Sequence, residues 1–386
     1  MEDDMNTPCY TIHLNTFEKN CADVMKAFEA AWKGNVEYGY SVKTNHDAGL
    51  IKYAHEKLGW YIETVSPDEY EYAKELGFDG RDIIFNGPCK NDIFKKALSE
   101  AAYVNLDSPA EVEELCGMCK EDNALAKQLK SRIGLRINFN LEAVCPGETT
   151  AGEEVSRFGI CCENGDFASA VHMMRDAGIE SSGLHLHTST KTRSEGVFRA
   201  LAAQAAKLVR EYGLEPDFID MGGGYFGGQA VPGKPTMEQY AEAISSELKK
   251  AVSPTKTKLI LEPGASVIAT SVTYETKVIS VRDIRGVKVV TLDGTLLHVN
   301  PFMAPRNQPY IILPDTKENG FDQRDKVKKQ ILCGCTCMEN DRFASLSDAP
   351  EFKVGDVLSF KFAGAYTMAF NSDFIIKPAQ VRYSSD

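Results

Sequence analysis

The sequence predicts a (β/α)8 barrel of the TIM type followed by an antiparallel β domain, and three observations carry that reading. Between residues 36 and 262 one grammar recurs eight times: a short β-branched or apolar run ends in polar or glycine residues, and a helical stretch usually follows. Eight such units over roughly 230 residues match the size and rhythm of a barrel. No G-x-G-x-x-G follows the first run, which weighs against a doubly wound open sheet. After about residue 268 the rhythm changes to strand-like runs joined by turns such as Asp293-Gly294, without long helices.

The eight barrel runs lie at residues 36–42, 60–65, 83–85, 103–106, 133–137, 183–186, 218–221 and 259–261. Helix starts are marked by Ser66-Pro67-Asp68-Glu69 and Ser108-Pro109-Ala110-Glu111, capping boxes with proline at the first helical position. Amphipathic helices are expected at 68–76, 92–101, 195–212 and 237–252. In the C-terminal part, strands are expected at 271–281, 287–292, 310–313, 329–337 and 357–362. Residues 10–14 are a further strand. The expected domains are therefore a barrel over 27–268 and a β domain over 269–386, joined by an N-terminal strand within 8–16. Residues 140–155 are polar and glycine-containing, and read as a long loop of the kind that often forms a lid.

Composition narrows the function classes. The chain has 386 residues, 43% of them hydrophobic, and a formal net charge of −12, which disfavours nucleic acid and anionic membranes as partners. No apolar run reaches the roughly 18 to 20 residues of a membrane span, and the acidic start Met1-Glu2-Asp3-Asp4 is unlike a targeting peptide. The eleven cysteines read as free thiols of a cytoplasmic protein. The densest group, Cys333-Gly334-Cys335-Thr336-Cys337, lacks C-x-x-C spacing and a nearby histidine, so no metal is expected.

Barrel chemistry collects at the C-terminal ends of strands. In order, those ends carry Lys43, Glu63, Asn86, Asp107, Asn138, His187, Gly222-Gly223-Gly224 and Glu262. Singly, each has an ordinary structural explanation; their joint position does not. A partly desolvated lysine can form a Schiff base with an aldehyde. Three glycines before a helix offer backbone N–H groups to a phosphate. A carboxylate can keep a pyridine nitrogen protonated, and an imidazole can stack on a flat ring. Aldehyde, phosphate and pyridinium together describe pyridoxal 5'-phosphate (PLP).

The chain resembles the fold-type III PLP decarboxylases, the alanine racemase-like group that includes ornithine, diaminopimelate and carboxynorspermidine decarboxylases. The resemblance runs nearly end to end. It includes Tyr40-Ser41-Val42-Lys43-Thr44-Asn45, Gly183-Leu184-His185-Leu186-His187 and Asp220-Met221-Gly222-Gly223-Gly224. It continues through Glu262-Pro263-Gly264, Gly334-Cys335-Thr336-Cys337 and Gly364-Ala365-Tyr366-Thr367. It implies that Lys43 bears the cofactor with Glu63 beside it, and that His187 stacks on the pyridine ring. It implies that Gly222, Gly223 and Gly224 hold the phosphate with Tyr366 and Thr190, that Glu262 pairs with the ring nitrogen while Gly264 also binds the cofactor, and that Arg136 supports the site. Cys337 would cross from a partner subunit to protonate the substrate carbon, making the protein an obligate homodimer.

The chain also departs from the family pattern. Ala265 stands where Glu-Pro-Gly is usually followed by arginine, and Met338 where an acid follows the cysteine. Glu339 and Asp341 are candidate substitutes for that acid, and Arg306 a candidate for binding a distal carboxylate. The resemblance therefore implies decarboxylation of a non-standard or modified amino acid. The competing readings are an amino-acid racemase on the same barrel and a non-catalytic homologue that binds a partner. Release of carbon dioxide separates the first from the second, and a cofactor absorbance band separates both from the third.

Overall fold

The computed structural model describes residues 6–179, 183–302, 314–316, 320–371 and 373–385. They form two compact units, one of Ala22–Ser266 and one of Met1–Cys21 with Val267–Asp386.

Strand β1 (Cys9–His13) belongs to the second unit. The first unit holds β2 (Val36–Ser41), β3 (Tyr61–Thr64), β4 (Ile83–Phe85), β5 (Tyr103–Leu106) and β6 (Ile133–Asn138). It continues with β7 (Ile160–Cys161), β8 (Gly183–His185), β9 (Phe218–Asp220) and β10 (Lys258–Leu261). Eight of these run parallel in the order β2-β3-β4-β5-β6-β8-β9-β10, and β10 pairs with β2, closing the predicted barrel. The two-residue β7, which the sequence did not signal, pairs with the end of β6.

Helix starts follow the capping chemistry. Ser66 accepts from the Glu69 N–H, Ser108 from that of Glu111, and Thr236 and Gln239 cap each other reciprocally. The helix Glu195–Tyr212 buries Val197, Phe198, Leu201, Ala202, Ala205, Leu208 and Val209 on one stripe and stops at Gly213, whose φ is +57°.

Period-2 alternation sorts the barrel interior into layers. Ile84, Tyr103, Phe218 and Ile260 form a buried apolar cluster with Tyr61 packed against it. Two residues further along the same strands stand Asn86, Asn105, Asp220, Glu262 and Glu63, all buried. The remaining three strands obey the same rule, with Gly39, Gly134 and Gly183 followed two positions later by the buried Ser41, Arg136 and His185. Each strand thus adds one side chain to a polar layer at the C-terminal end of the barrel, resting on an apolar floor.

The second unit holds β11 (Val272–Ile284), β12 (Val287–Leu292), β13 (Pro314–Thr316), β14 (Lys326–Cys333), β15 (Arg342–Pro350), β16 (Val357–Phe360) and β17 (Gln380–Ser384). Their path is β13-β16-β11-β12-β14-β15, with β1 antiparallel to β11. The sheet is mostly antiparallel, not wholly so: β12 pairs with β14, and β1 with β17, in parallel. Sequence patterning did not signal β15 or β17. The first is a mixed run on the sheet edge with no buried residue, and the second has four exposed residues beside β1. The strand expected at 329–337 stops at Cys333. Gly334 N–H donates to the Asp341 carbonyl, and the Asp341 carboxylate accepts from both the N–H and hydroxyl of Thr336. Cys337 and Met338 consequently sit in a turn and not on a strand. The strand expected at 310–313 lies outside the described residues. Among the described residues, no helix is long and apolar enough to cross a membrane.

Candidate active site

Lys43 begins its approach in a single 3-10 turn, Val42–Thr44, directly after β2. Its Nζ lies 2.7 and 2.6 Å from the two oxygens of Glu63, which is fully buried on β3. Glu63 also accepts from Ser41 Oγ at 2.6 Å and Asn86 Nδ2 at 3.0 Å, so donors on two other strands fix its orientation. The lysine side chain is 28% exposed, leaving the amine a route to ligand. Glu69, in the helix behind, has its carboxyl pushed up to about 7 by burial and by repulsion from Glu63.

Asn86 Nδ2 also donates to Glu262 Oε1 at 2.6 Å, linking the Lys43–Glu63 pair to the end of the last barrel strand. Three ionisable groups converge there: His185, Asp220 and Glu262, all buried. Burial raises Asp220 well above the usual carboxylate range, and the neighbouring Glu262 charge adds to the rise. Burial also pushes Glu262 upward, but His185 and the Lys43 charge overrule it and hold this carboxyl below its ordinary range. The two carboxyls thus share one negative charge, which resides on Glu262, while Asp220 keeps a proton. Burial lowers His185 as well, against the pull of the Glu262 charge beside it. Its Nε2 stands 3.7 Å from Glu262 Oε2, beyond hydrogen-bond reach.

His187 follows two residues after His185, and the rings lie near parallel, with centroids 6.4 Å apart and planes 20° apart. The residue is half-buried. Burial, with the Lys43 and Arg136 charges, lowers its pKa to about 3. The N–H of Gly223 donates to its Nδ1 at 3.1 Å. In the neutral ring, the proton therefore sits on Nε2. Gly222 has a φ of +59°, and a Cβ there would lie 2.5 Å from His187 Nδ1. A Cβ on Gly223 would lie 2.1 Å from the Glu262 carbonyl oxygen. Only glycine permits this backbone to run so close to both. Arg136 Nη1 donates to Asp107 at 2.7 Å and Nη2 to the His187 carbonyl at 3.2 Å, bracing the strand end that bears the imidazole.

These residues fit a phosphorylated pyridine aldehyde. An amine, a flat neutral ring, an ionised buried carboxylate and close-approaching glycine amides lie along one barrel end. The two ring nitrogens of His185 and the hydroxyls of Thr44 and Ser266 are buried without a hydrogen-bond partner among the described residues, a polar capacity that a ligand can satisfy.

Sequence reasoning singled out Lys43, Glu63, Arg136, His187, Gly222, Gly223, Gly224 and Glu262, and the structure brings them to one barrel end. It passed over His185, Asp220, Asn105 and Ser41 as site residues. The available signal was their spacing, since each lies two residues before or after an inward-facing position. Thr190 lies in the loop after β8, where its Oγ1 accepts from Arg193 N–H and its backbone bridges Thr149. That bridge, with Thr150 N–H to the Ser189 carbonyl at 3.1 Å and Lys191 N–H to the Glu148 carbonyl at 2.7 Å, pins the 140–155 loop; it also contains a helical turn, Leu141–Val144. Gly264 approaches Thr44 Oγ1, 2.4 Å from where its Cβ would stand.

Cys337, Met338, Glu339 and Tyr366 belong to the other unit. There Cys337 is exposed, Glu339 pairs with Arg342, and Tyr366 takes a φ of +55° beside Phe370. Asp341 is buried and committed to Thr295, Leu296 and Thr336, so it is not available to replace an acid after Cys337. Arg306 lies outside the described residues.

Residues 14–269 match the family described as "Pyridoxal-dependent decarboxylase, pyridoxal binding domain". The chain is 27% identical over 387 residues to a diaminopimelate decarboxylase of Campylobacter jejuni, covering 97% of this chain and 89% of that protein. It is 24% identical to ornithine decarboxylase 2 of Drosophila melanogaster, covering 88% and 83%. The arginine decarboxylase of Paramecium bursaria Chlorella virus shares its fold, with a TM-score of 0.78 at 19% identity, covering 98% and 96%. The chain belongs to the pyridoxal-dependent decarboxylase family, as a PLP-dependent amino-acid decarboxylase.

Proposed function

We propose that the protein decarboxylates a non-standard or modified amino acid to an amine and carbon dioxide, at a site built around Lys43 and completed by a second copy of the chain. The observation that carries this reading is the joining of Lys43 to Glu262 through Glu63 and Asn86, which puts an amine and an ionised carboxylate at two strand ends of one polar layer. In this reading 27–268 is the PLP-binding domain, and 269–386 with the strand at 8–16 is the β domain. The compartment is the cytoplasm.

When bound, PLP supplies an aldehyde for amines and a ring that accepts negative charge from Cα. Lys43 holds the cofactor covalently, and Glu63 orients its amine and balances its charge. His187, neutral and fixed by Gly223, offers its flat face to the ring, and Arg136 braces it through the carbonyl. Glu262 holds a proton on the pyridine nitrogen. Gly222, Gly223, Gly224 and Gly264, with Thr190 and Tyr366, receive the phosphate. Cys337 of the second copy delivers a proton to Cα. Met338 and the Arg342-paired Glu339 line the distal end without offering the usual acid, and Arg306 binds a distal anion there. The matched relatives are named for three different substrates, so none of those names transfers by itself. A side chain bearing a second nitrogen would give a polyamine-type product.

The test is carbon dioxide release with product mass, using PLP-loaded protein and a panel of L- and D-basic, acidic and carboxylated-polyamine amino acids. One class is expected to react. Exchange of the Cα proton without carbon dioxide release would overturn the reading in favour of racemization. The homodimer has its own check: mixing inactive Lys43→Ala and Cys337→Ala proteins is expected to restore about a quarter of the activity, since half the redistributed dimers hold one intact site. No restoration after verified exchange would mean that each site lies within one chain.

A further inference from the structure

One amide on β5 serves both halves of the polar layer, and the reading above gives it no work. Asn105 is buried on that strand. Its Nδ2 donates to Asn86 Oδ1 at 2.8 Å and to Asp220 Oδ2 at 3.3 Å. From Asn86 the chain of bonds runs on to Glu63 Oε1 at 3.0 Å and Glu262 Oε1 at 2.6 Å. From Asp220 it runs the other way, because Oδ1 accepts from the Gly222 N–H at 2.8 Å. We propose that Asn105 is a positioning residue whose two donated hydrogen bonds aim Glu63 and Glu262 at the ring end and fix the glycine run at the phosphate end. This inference rests on the reading that Glu262 faces the pyridine nitrogen and that Gly222–Gly224 receive the phosphate.

The direction of these bonds is forced. A carboxylate only accepts, so Asn86 must turn its amide nitrogen, with two hydrogens, toward Glu63 and Glu262. Its oxygen is left as an acceptor, and Asn105 must present a donor to it. Asn105 Nδ2 therefore faces Asn86, and its second hydrogen reaches Asp220. Two hydrogens on one nitrogen thus feed two branches that end at opposite ends of the cofactor.

Asn105 leaves its own oxygen unused to do this. Oδ1 is buried without a hydrogen-bond partner among the described residues, which is destabilising in itself. It lies against β6, where Gly134 stands directly opposite Asn105 in the parallel register. A Cβ on Gly134 would lie 1.9 Å from that oxygen, so glycine there is what leaves room for the amide. Filling space alone would need neither the amide nor the glycine.

The experiment titrates cofactor-free protein with PLP and, separately, with pyridoxal, following the visible absorbance band, and measures the melting temperature of each cofactor-free variant. The double variant Asn105→Ala, Gly134→Ala removes both donors while the new Cβ takes up the space of the amide oxygen. It is expected to weaken pyridoxal about 3- to 10-fold and PLP about 10- to 100-fold, one neutral hydrogen bond for the first and two for the second. The visible band of the bound aldehyde should also move, because Asn86 no longer aims Glu262. Asn105→Asp keeps the shape but can donate at most one hydrogen, so it should not retain wild-type affinity; if it does, the side chain only fills space. Equal loss for both aldehydes in the double variant would mean that the amide does not act on the glycine run. Loss for PLP alone, with an unmoved band, would mean that it does not act on the ring end. A lower melting temperature with affinities and band unchanged would leave a packing role only. Each of these four results overturns the proposal. A wild-type protein that bound neither aldehyde would instead defeat the underlying reading of Lys43, and this inference with it.

Discussion

Replacing Lys43 by alanine is expected to lower carbon dioxide release by on the order of 10³-fold or more, the scale on which enzymes lose rate when a covalent group is removed. The variant should also lose the visible absorbance band on mixing with PLP. The local reason is geometric. Lys43 Nζ is the amine held by Glu63, and Glu63 is aimed by Ser41 and Asn86. Alanine leaves that buried carboxylate with two neutral donors, so it disturbs packing as well as chemistry. Lys43→Arg separates the two effects: it keeps a cation beside Glu63 but has no primary amine. Arginine should therefore restore thermal stability without restoring the band or the rate. A Lys43→Arg protein that released carbon dioxide at near the wild-type rate would overturn the assignment.

Glu262→Gln is expected to cost roughly 10²- to 10³-fold in kcat, the scale for losing one preorganised electrostatic contact in a buried site. Glutamine keeps the shape and can keep the bond from Asn86, so the change isolates the charge. The pH profile supplies a second check. His185 and the Lys43 charge hold the Glu262 carboxyl below the usual range, so it stays ionised as pH falls and protonates only after ordinary carboxylates have done so. An acid limb of the wild-type rate near neutrality therefore does not come from Glu262. The variant should be slow at every pH, with any such limb unmoved. A variant rate that met the wild-type rate at low pH within the neutral range would mean that Glu262 is the group titrating there.

Much of this molecule is legible in the chain itself, because helix caps and strand alternation are local properties. Ser66 and Ser108 start their helices where the capping boxes stand, and the helix Glu195–Tyr212 has the bounds its periodicity predicts. Less legible were the strands whose stability comes from neighbours. Arg342–Pro350 and Gln380–Ser384 are edge segments without a buried residue, and their pairing with β14 and β1 is what makes them strands. The turn at Cys337 escaped for a similar reason: it is made by the Asp341 carboxylate reaching back to Thr336 and across to Thr295 and Leu296.

By itself, then, the sequence determined the repeating strand–helix units, their starts and stops, and the placement of Lys43, Glu63, His187, the glycine run and Glu262 at strand ends. The physical reason is that propensity, capping and alternation act over a few residues. Tertiary structure alone decided that eight strands close, so that Asn86, Asn105, His185 and Asp220 join those residues in one polar layer. It also decided which of two buried carboxyls keeps a proton. Protonation depends on desolvation and on charges many residues away in the chain, and those neighbours exist only once the barrel has closed.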